Sequence, residues 1–455
     1  MHHSYLLWRD WFGTKEMRHL WSELNIVNSW LKTETALALT LEEFGVVPAD
    51  CAKAIQNHRD LEIEDIKKIR ILTISTRHIL AGFISYMRNR LGEAGEFFHL
   101  GATTQDILDT GLAIIIKDSL ESIKTDLRSL LTVMAGLADQ HRYAVMAGRS
   151  QGQHALPITF GFKVALWASE LLDHLKRLEE LEKRVLLVSV GAAMGTQSSF
   201  VLLAGKEKTL DMAKSMARHL KLQHTSTDLH GRVDRFSELL SYIALVCTFL
   251  GEIGLELRDL QRTEVAELKE KWKDSFEGSS TLVHKQNPEP AHWPEGLAKI
   301  ARGNSVAMMD IQIQHERDAT RTAPEFATIS ESFLCLSASL QMIEDILSNI
   351  DVDSAQMQAN IEKTGGLIMS ETVWIELFKK TGRLVHSQHV VKRCANVAGE
   401  SGISFKQALL DHEDVAAFFT QKEIDWMLNP ENYQGTVEEQ INAVIASVEN
   451  EIDGL

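Results

Sequence analysis

The stretch from residue 277 to residue 290 places groups that could remove a proton beside groups that could stabilise the charge left behind. It reads EGSSTLVHKQNPEP, in which two serines follow a glycine and a lysine and an asparagine come at fixed offsets. If this loop closes, it could bring Ser279 to a substrate C–H while Lys285 and Asn287 stabilise negative charge on an adjacent carboxylate. The alternative is an ordinary Gly/Ser linker, which the residue types alone favour.

A second polar stretch lies directly before a long run of helical periodicity. Residues 99–110 read HLGATTQDILDT. Thr103, Thr104 and Gln105 would supply hydrogen-bond donors, and the free backbone N–H groups at a helix start would complete a carboxylate site. The plain alternative is N-capping by threonine or aspartate, which this stretch by itself favours.

A third polar stretch, residues 148–157, contains a histidine outside any apolar stripe. It reads GRSQGQHALP, and it is expected to come immediately before a helix. Histidine titrates near neutral pH and is the usual general acid or base, so His154 is a candidate for proton transfer. The alternative is a histidine that merely satisfies its hydrogen bonds at the surface or in the core.

The elements that must hold these stretches are predicted to be helices. Only seven prolines occur among 455 residues, so helices can run uninterrupted for long distances. Apolar residues at alternating steps of four and three mark one helix face over 116–137 and again over 239–260. A third helix is predicted after Pro157, which suits a first helical turn, whereas strand signals are nearly absent. We therefore predict an all-α protein with three helical domains: residues 1–105, a central long-helix bundle at 106–355, and residues 356–455.

The composition argues against several classes of protein. The chain has 47 Lys and Arg against 63 Asp and Glu, a formal net charge of −16, and no basic cluster with interleaved aromatic residues. No run approaches the roughly 18 apolar residues that a bilayer span needs, and the first residues lack a signal-peptide pattern. The four cysteines lie far apart without metal-ligand spacing. We expect a cytoplasmic protein that uses no metal and no cofactor and binds neither nucleic acid nor membrane.

Together, the three polar stretches resemble the fumarase/aspartase superfamily. Its members share an HxGxTSxD-like segment, a GRTxxQxAxP-like segment and a GSSxMPxKxNP loop, and here the three matches occur in order. The similarity spans roughly residues 15–375 and includes RVDR at 232–235 and DLQRTEVAE at 259–267. The resemblance implies an all-α homotetramer whose long helices form a shared central bundle, with each active site assembled from segments of three different chains.

Carried over position by position, the resemblance implies that Ser279 is the base that removes a proton next to a carboxylate. Lys285 and Asn287 would hold that carboxylate. Because serine is a poor base unless loop N–H groups and a nearby cation stabilise its alkoxide, Lys285 would serve both purposes. The other candidates for substrate binding are Thr103, Thr104 and Gln105 for a second carboxylate, with Ser280, Gln151, His78 and His99 lining the pocket.

Two departures from the family pattern affect the expected chemistry. The loop has Leu282 and Val283 where the family usually has Met-Pro, which should alter its stiffness but keeps every proposed chemical group. Gln151 stands where adenylosuccinate lyases, argininosuccinate lyases and fumarases have a histidine that helps proton transfer or substrate binding. His154 is therefore the substitute candidate for proton transfer.

A third departure concerns the substrate. Residues 315–324 read HERDATRTAP and lack the Ser-Ser-x-x-Arg element with which adenylosuccinate lyases grip a nucleotide phosphate. Arg317 and Arg321 could instead bind a further carboxylate. A small polycarboxylate is the expected substrate, and residues 101–106 and 191–196 look most similar to the cycloisomerase branch.

We therefore expect a cofactor-independent lyase or cycloisomerase that acts on a small polycarboxylate, most like 3-carboxy-cis,cis-muconate cycloisomerase. One alternative is a carbon–nitrogen lyase that releases fumarate from adenylosuccinate or another N-substituted aspartate. An alternative of another class is a non-catalytic helical structural protein, although the presence of Ser279, Lys285 and Asn287 argues against it.

Overall fold

The computed structural model describes residues 9–59, 61–229, 231–273, 275–314 and 318–454. The predicted substrate contact by Arg317 lies outside these ranges. By their internal contacts the residues form two compact units. Nothing in this division tests the three predicted domains, whose boundaries stay a prediction. Unit 1 comprises Met1–Leu127, His174–Glu252 and Trp293–Met342, and unit 2 comprises Arg128–Asp173, Ile253–His292 and Ile343–Leu455.

The prediction of an all-α protein is confirmed, because the described residues form twenty α-helices and only four short strands. The strands form two antiparallel pairs: β1 (Val145–Ser150) with β2 (Gln153–Thr159), and β3 (Leu268–Glu270) with β4 (Ile350–Val352). The helices are α1 Lys15–Leu20, α2 Glu23–Glu43, α3 Cys51–Gln56, α4 Ile63–Thr76, α5 Ala81–Leu91, α6 Thr104–Gln140, α7 Phe160–Val185, α8 Ser198–Ala204, α9 Lys206–Leu210, α10 Met212–Leu220, α11 Asp234–Leu260, α12 Glu289–Asp310, α13 Thr322–Ser348, α14 Ser354–Glu362, α15 Ser370–Thr381, α16 Leu384–Ser401, α17 Phe405–Asp411, α18 Glu413–Ala416, α19 Gln421–Met427 and α20 Val437–Asp453.

The two longest apolar patterns in the sequence fall inside long helices, as predicted. Helix α6 has 37 residues and contains the pattern at 116–137, while α11 has 27 residues and contains the pattern at 239–260. The residues that carry the two patterns are buried, among them Leu120, Ile123 and Leu250. The 4,3 spacing places them on one face of each helix, and the burial of that face stabilises both helices.

The helix predicted after Pro157 is present as α7, but the placement of Pro157 in its first turn was wrong. Pro157 lies in strand β2 opposite Ala147, and α7 begins only at Phe160. Gln151 and Gly152 adopt positive φ angles of 54° and 76° between β1 and β2, as a two-residue hairpin turn requires. The pairing shifts register after Ala147, so the strands lack the regular alternation by which a sequence indicates strands.

In unit 1, an aromatic cluster fixes the chain just ahead of α6. The ring of Phe83 lies 5.7 Å from that of Trp30 in α2 and 5.7 Å from that of Phe98, in edge-to-face arrangements. All three residues are buried. Burial of such side chains contributes about 1.5–3 kcal/mol each. Since His99 follows Phe98 directly, the cluster anchors the beginning of the segment 99–110.

Two helical stretches, Asp234–Leu260 and Ala319–Ser348, are long and apolar enough to cross a membrane by length and composition. The apolar windows of these stretches are 67% and 72% buried inside the protein, which is typical of core helices. The four cysteines are buried and form no disulfide. Within the described ranges, no group of three or more His, Cys, Asp or Glu side chains is arranged to hold a metal ion.

Candidate active site

The start of α6 in unit 1 is fixed by the carboxylate of Asp106. This carboxylate accepts hydrogen bonds from the backbone N–H groups of Thr103 at 3.0 Å, Gly191 at 2.8 Å and Ala192 at 3.0 Å. Burial raises the pKa of Asp106 to about 7, although the three N–H groups act in the opposite direction. The capping interpretation of the segment 99–110 therefore holds for Asp106, whose side chain is committed to the backbone.

Gln105 extends from this helix start into a second, deeper network. Its Nε2 donates to Asp109 Oδ1 at 2.5 Å, and the same oxygen accepts from Arg321 at 2.8 Å. Arg321 also lies 2.9 Å from Glu325, and both its partners are buried. Burial raises the pKa of Glu325 to about 7, and the nearby Asp109 carboxylate adds to the rise while Arg321 opposes it.

The expected role of Arg321 as a ligand for a substrate carboxylate does not fit this position. Its side chain is 1% exposed, and its Nε and Nη2 atoms already pair with the buried carboxylates of Asp109 and Glu325. Two buried carboxylates need a cation beside them, because an uncompensated charge in the interior costs several kcal/mol. The sequence could not show this, since Asp109 and Arg321 are 212 positions apart.

The structure brings together two further candidates in unit 1. His78 Nε2 lies 3.5 Å from Thr104 Oγ1, while His78 Nδ1 accepts hydrogen bonds from the backbone N–H groups of Leu80 and Ala81. A neutral His78 ring therefore carries its hydrogen on Nε2, the atom that faces Thr104.

His99 is held by a residue that the sequence analysis missed. Its Nδ1 lies 2.6 Å from Oε1 of Glu34, a residue of α2 whose side chain is 1% exposed. Glu34 sits on the buried face of α2 between Leu31 and Leu37, and a glutamate within an apolar face is the one signal that could have found it.

In unit 2, the loop at residues 277–290 is closed on itself. Ser279 Oγ accepts a hydrogen bond from the N–H of Leu282 at 3.0 Å and a longer one from Thr281 at 3.4 Å. Asn287 Nδ2 donates to the carbonyl oxygen of Gly278 at 2.6 Å, which ties the two sides of the loop together. The serine and the asparagine therefore lie at the narrow neck of one loop.

Gly278 is required at this neck because the two chain segments that form the neck approach each other closely. A Cβ atom at position 278 would lie 2.1 Å from the carbonyl oxygen of Lys285, which no side chain can tolerate. Beyond the neck the loop is open to solvent, with Val283 fully exposed and Leu282 47% exposed. Ser279 is half-buried, whereas Ser280 and Lys285 are exposed.

The remaining candidates, Gln151 and His154, lie in the hairpin that β1 and β2 form in unit 2. Gln151 is an exposed turn residue, and His154 lies in strand β2 opposite Arg149 rather than directly before a helix. Burial lowers the pKa of His154, and the cationic Arg149 lowers it further. Both effects favour the neutral form of the His154 imidazole.

Arg149 itself is held by a buried carboxylate that the sequence analysis also missed. Its guanidinium donates to both oxygens of Glu267 at 2.9 and 2.6 Å, and Asn360 Nδ2 donates to Glu267 at 2.7 Å. The Glu267 side chain has no exposed area. This bidentate pair fixes one strand of the hairpin within unit 2.

A cavity of about 770 Å³ lies in unit 2 beside the loop. Asn287 and Gln286 line it from the loop, and Gln261 and Glu270 line it from the segment that follows α11. Gln261 and Glu270 are fixed to each other, since the side chain of Gln261 donates to the Glu270 carboxylate and accepts from its backbone N–H. A polar cavity thus opens beside Asn287.

Comparisons with known proteins assign this arrangement to a family. A family described as "Lyase" matches residues 13–301, and one described as "Adenylosuccinate lyase C-terminus" matches residues 366–444. The chain belongs to the fumarase/aspartase superfamily of lyases. It is therefore an enzyme of this superfamily, as the three sequence motifs predicted, and not a non-catalytic scaffold.

Relatives and solved structures match almost the whole chain. It is 35% identical over 446 residues to the N-acetyl-S-(2-succino)cysteine lyase of Dickeya dadantii, with 97% of this chain and 96% of the relative covered. It is 33% identical over 444 residues to the adenylosuccinate lyase of Methanocaldococcus jannaschii, with 96% and 95% covered. The crystal structure of 3-carboxy-cis,cis-muconate lactonizing enzyme from Pseudomonas putida superposes with a TM-score of 0.88 at 27% identity, with 98% and 99% covered.

Proposed function

We propose that this enzyme removes a proton next to a carboxylate of a substituted succinate and expels the group attached to the neighbouring carbon, which releases fumarate. The observation that carries the proposal is the pair of backbone N–H groups, of Leu282 and Thr281, directed at Ser279 Oγ. Oriented N–H groups stabilise an oxyanion, so they support Ser279 as an alkoxide base.

The other groups of the loop support the developing negative charge. A carbon acid next to a carboxylate is very weak, and its carbanion is tolerable only when fixed donors surround the carboxylate. We assign this role to Lys285 and Asn287, with Ser280 at the same loop. Loss of one such donor typically costs about 3 kcal/mol, or roughly 10²- to 10³-fold in rate.

The second carboxylate of the substrate sits on the carbon that carries the leaving group. We assign its binding to Thr103, Thr104 and Gln105 at the start of α6, with His78 beside Thr104. Asp106 and Asp109 hold this segment in place through the hydrogen bonds described above. In line with the family resemblance, we propose that these residues and the loop come from different chains of a homotetramer. We also propose that the enzyme acts in the cytoplasm.

The names of the relatives support the choice of a substituted succinate. One relative is a lyase for N-acetyl-S-(2-succino)cysteine and another is an adenylosuccinate lyase, and both names denote a succinyl group joined to sulfur or nitrogen. For this chain we therefore propose a succinyl group joined through sulfur or nitrogen to a small leaving group.

A cycloisomerase remains the second candidate. The structural match to a 3-carboxy-cis,cis-muconate lactonizing enzyme supports it, as do the residues that first suggested that branch. The same base would then act on a lactone or its open-chain acid, and no fumarate would form.

Purified enzyme assayed with S-(2-succino) thiols, N-substituted aspartates, adenylosuccinate and carboxymuconate will separate these candidates. We expect fumarate, detected by its ultraviolet absorbance, from a succinyl thioether or amine. Ser279→Ala should lower turnover by roughly 10²- to 10⁴-fold. The matched control is Ser275→Ala, which removes an exposed hydroxyl just before the loop and should leave turnover unchanged. Full activity in Ser279→Ala would eliminate the proposed base, and conversion of carboxymuconate alone would favour the cycloisomerase.

A further inference from the structure

We propose that His99 is the general acid that protonates the departing heteroatom, and that Glu34 is the positioning residue that holds its ring. This inference rests on the proposed function, because it assigns the group that completes the elimination begun at Ser279. Such an elimination needs a proton donor for the leaving group. Gln151, in the exposed hairpin turn, carries an amide and has no proton that it can give up.

The ring of His99 is fixed at one nitrogen and accessible at the other. Nδ1 lies 2.6 Å from a Glu34 oxygen, and the side chains of Glu34 and His99 are 1% and 13% exposed. Since a carboxylate only accepts hydrogen bonds, Nδ1 carries the hydrogen and donates it. Among the described residues Nε2 makes no hydrogen bond, and it is not enclosed. Nε2 is therefore the atom that exchanges protons.

The other two histidines near the proposed site are less suited to this role. His78 Nδ1 accepts two backbone hydrogen bonds at the start of α5, so a second proton on its ring would break both. His154 is partly buried beside Arg149, and both effects lower its pKa and keep the ring neutral. A neutral imidazole accepts protons readily but is a very weak acid.

The position of His99 in the chain agrees with the chemistry. It begins the segment whose Thr103, Thr104 and Gln105 are assigned to the carboxylate on the carbon that bears the leaving group. The aromatic cluster that ends at Phe98 anchors this segment from one side, and Asp106 anchors it from the other. A proton donor in this segment therefore lies on the leaving-group side of the substrate.

The step balances without a further reactant. Ser279 alkoxide takes the proton from the carbon next to the first carboxylate, and that electron pair forms the carbon–carbon double bond. The bond to the heteroatom breaks, and its electron pair takes the proton from Nε2 of a doubly protonated His99. The products are fumarate and the protonated thiol or amine. His99 remains as a neutral ring whose Nδ1–H still donates to Glu34, and solvent restores both side chains.

The test compares two leaving groups in one enzyme. A thiolate leaves easily because a thiol has a pKa of about 8.5, whereas an amine cannot leave as its anion and must be protonated. We expect His99→Gln to lose roughly 10²- to 10⁴-fold in turnover on an N-substituted aspartate and less than about 10-fold on an S-(2-succino) thiol. Glu34→Gln should show the same preference with a smaller loss, because the amide still accepts the Nδ1 hydrogen bond.

A second readout separates proton removal from proton donation. In D₂O, His99→Gln should still exchange the acidic substrate hydrogen while it makes little fumarate, whereas Ser279→Ala should lose exchange and turnover together. The matched control is His219→Gln, since His219 lies 3.0 Å from Glu43 at the other end of the same helix α2, and its activity should be unchanged.

Equal losses of His99→Gln on both leaving groups would assign it to binding and overturn the inference. Loss of deuterium exchange in His99→Gln, or full activity on the amine substrate, would also overturn it. If the wild-type enzyme releases fumarate from neither class of compound, the proposed function itself fails. That failure is visible before any variant is compared.

Discussion

The segment at the start of α6 and the loop at residues 277–290 both carry candidate chemistry, but they are held in opposite ways. Asp106 receives three backbone N–H groups, and Asp109 joins Gln105 to the buried Arg321. The loop, in contrast, is held together by hydrogen bonds among its own residues, such as that from Asn287 to Gly278, and its tip is exposed.

This contrast suits the two regions to different roles, substrate binding at the start of α6 and proton removal by the loop. A binding site for a carboxylate gains from donors that are fixed before the substrate arrives, because no free energy is then spent on ordering them. A base that must approach a C–H bond and then release the product gains from a segment that can open and close. Changes in the loop should therefore affect turnover, and changes at the helix start should affect stability.

The largest expected effect is on turnover, from Gly278→Ala at the neck of the loop. The new Cβ would collide with the Lys285 carbonyl oxygen, so the neck must open and displace Ser279 from its N–H donors. We expect turnover to fall by roughly 10²-fold, because a displacement of about 1 Å costs that much. Steady-state kinetics measures the fall.

The comparison also predicts that Gly278→Ala has little effect on stability. Since the loop is exposed and can open at its neck, the free energy of unfolding should fall by no more than about 1 kcal/mol, roughly the contribution of the Asn287–Gly278 hydrogen bond that the opening breaks. The matched control is Gly399→Ala, in an exposed position of α16 with open space around it. This variant should raise the free energy of unfolding by about 0.5–1 kcal/mol and keep full activity. Unchanged turnover in Gly278→Ala would contradict the role assigned to the neck.

The second prediction concerns the start of α6, the more rigid of the two regions. Asp106→Asn replaces one carboxylate oxygen by an NH₂ group, which would face the N–H groups of Thr103 and Ala192 or that of Gly191. Buried donors left without acceptors cost about 1–3 kcal/mol, so the free energy of unfolding should fall by roughly 2 kcal/mol. Denaturant unfolding measures this value.

A variant at the exposed end of the same helix provides the control. Asp139→Asn removes only a surface ion pair with Arg142, which is worth about 0–1 kcal/mol. If Asp106→Asn were no more destabilising than Asp139→Asn, the start of α6 would not be the rigid element that the comparison assumes.

The local sequence predicts the helices and the order of the motifs, but not the pairs that hold them. The apolar spacing of 116–137 and 239–260 is a local property, and it predicted two helices that the structure contains. Glu34, which holds His99, and Asp109, which pairs with Arg321, lie 65 and 212 positions away from them, and no local period reports on such contacts. For the same reason Arg321 was assigned to substrate when it in fact balances buried carboxylates.

The third prediction is a pH dependence of stability from Glu325, which shares Arg321 with Asp109 and so belongs to the same rigid region as the start of α6. Burial raises its pKa from 4.5 to about 7. The folded protein therefore binds this proton more tightly than the unfolded chain, and the resulting stabilisation is complete below pH 4.5 and lost as the pH rises through about 7.

Glu325→Gln removes this dependence and leaves that of Asp106 in place. The difference in the free energy of unfolding between wild type and variant should therefore shift against the wild type as the pH rises between 4.5 and about 7, by at most roughly 1.4 kcal/mol per pH unit. Above that range the difference should be constant. Denaturant unfolding at several pH values measures it for both proteins. Parallel curves would show that folding does not raise the pKa of Glu325, and near neutral pH the network beneath Gln105 would then contain two charged carboxylates instead of one.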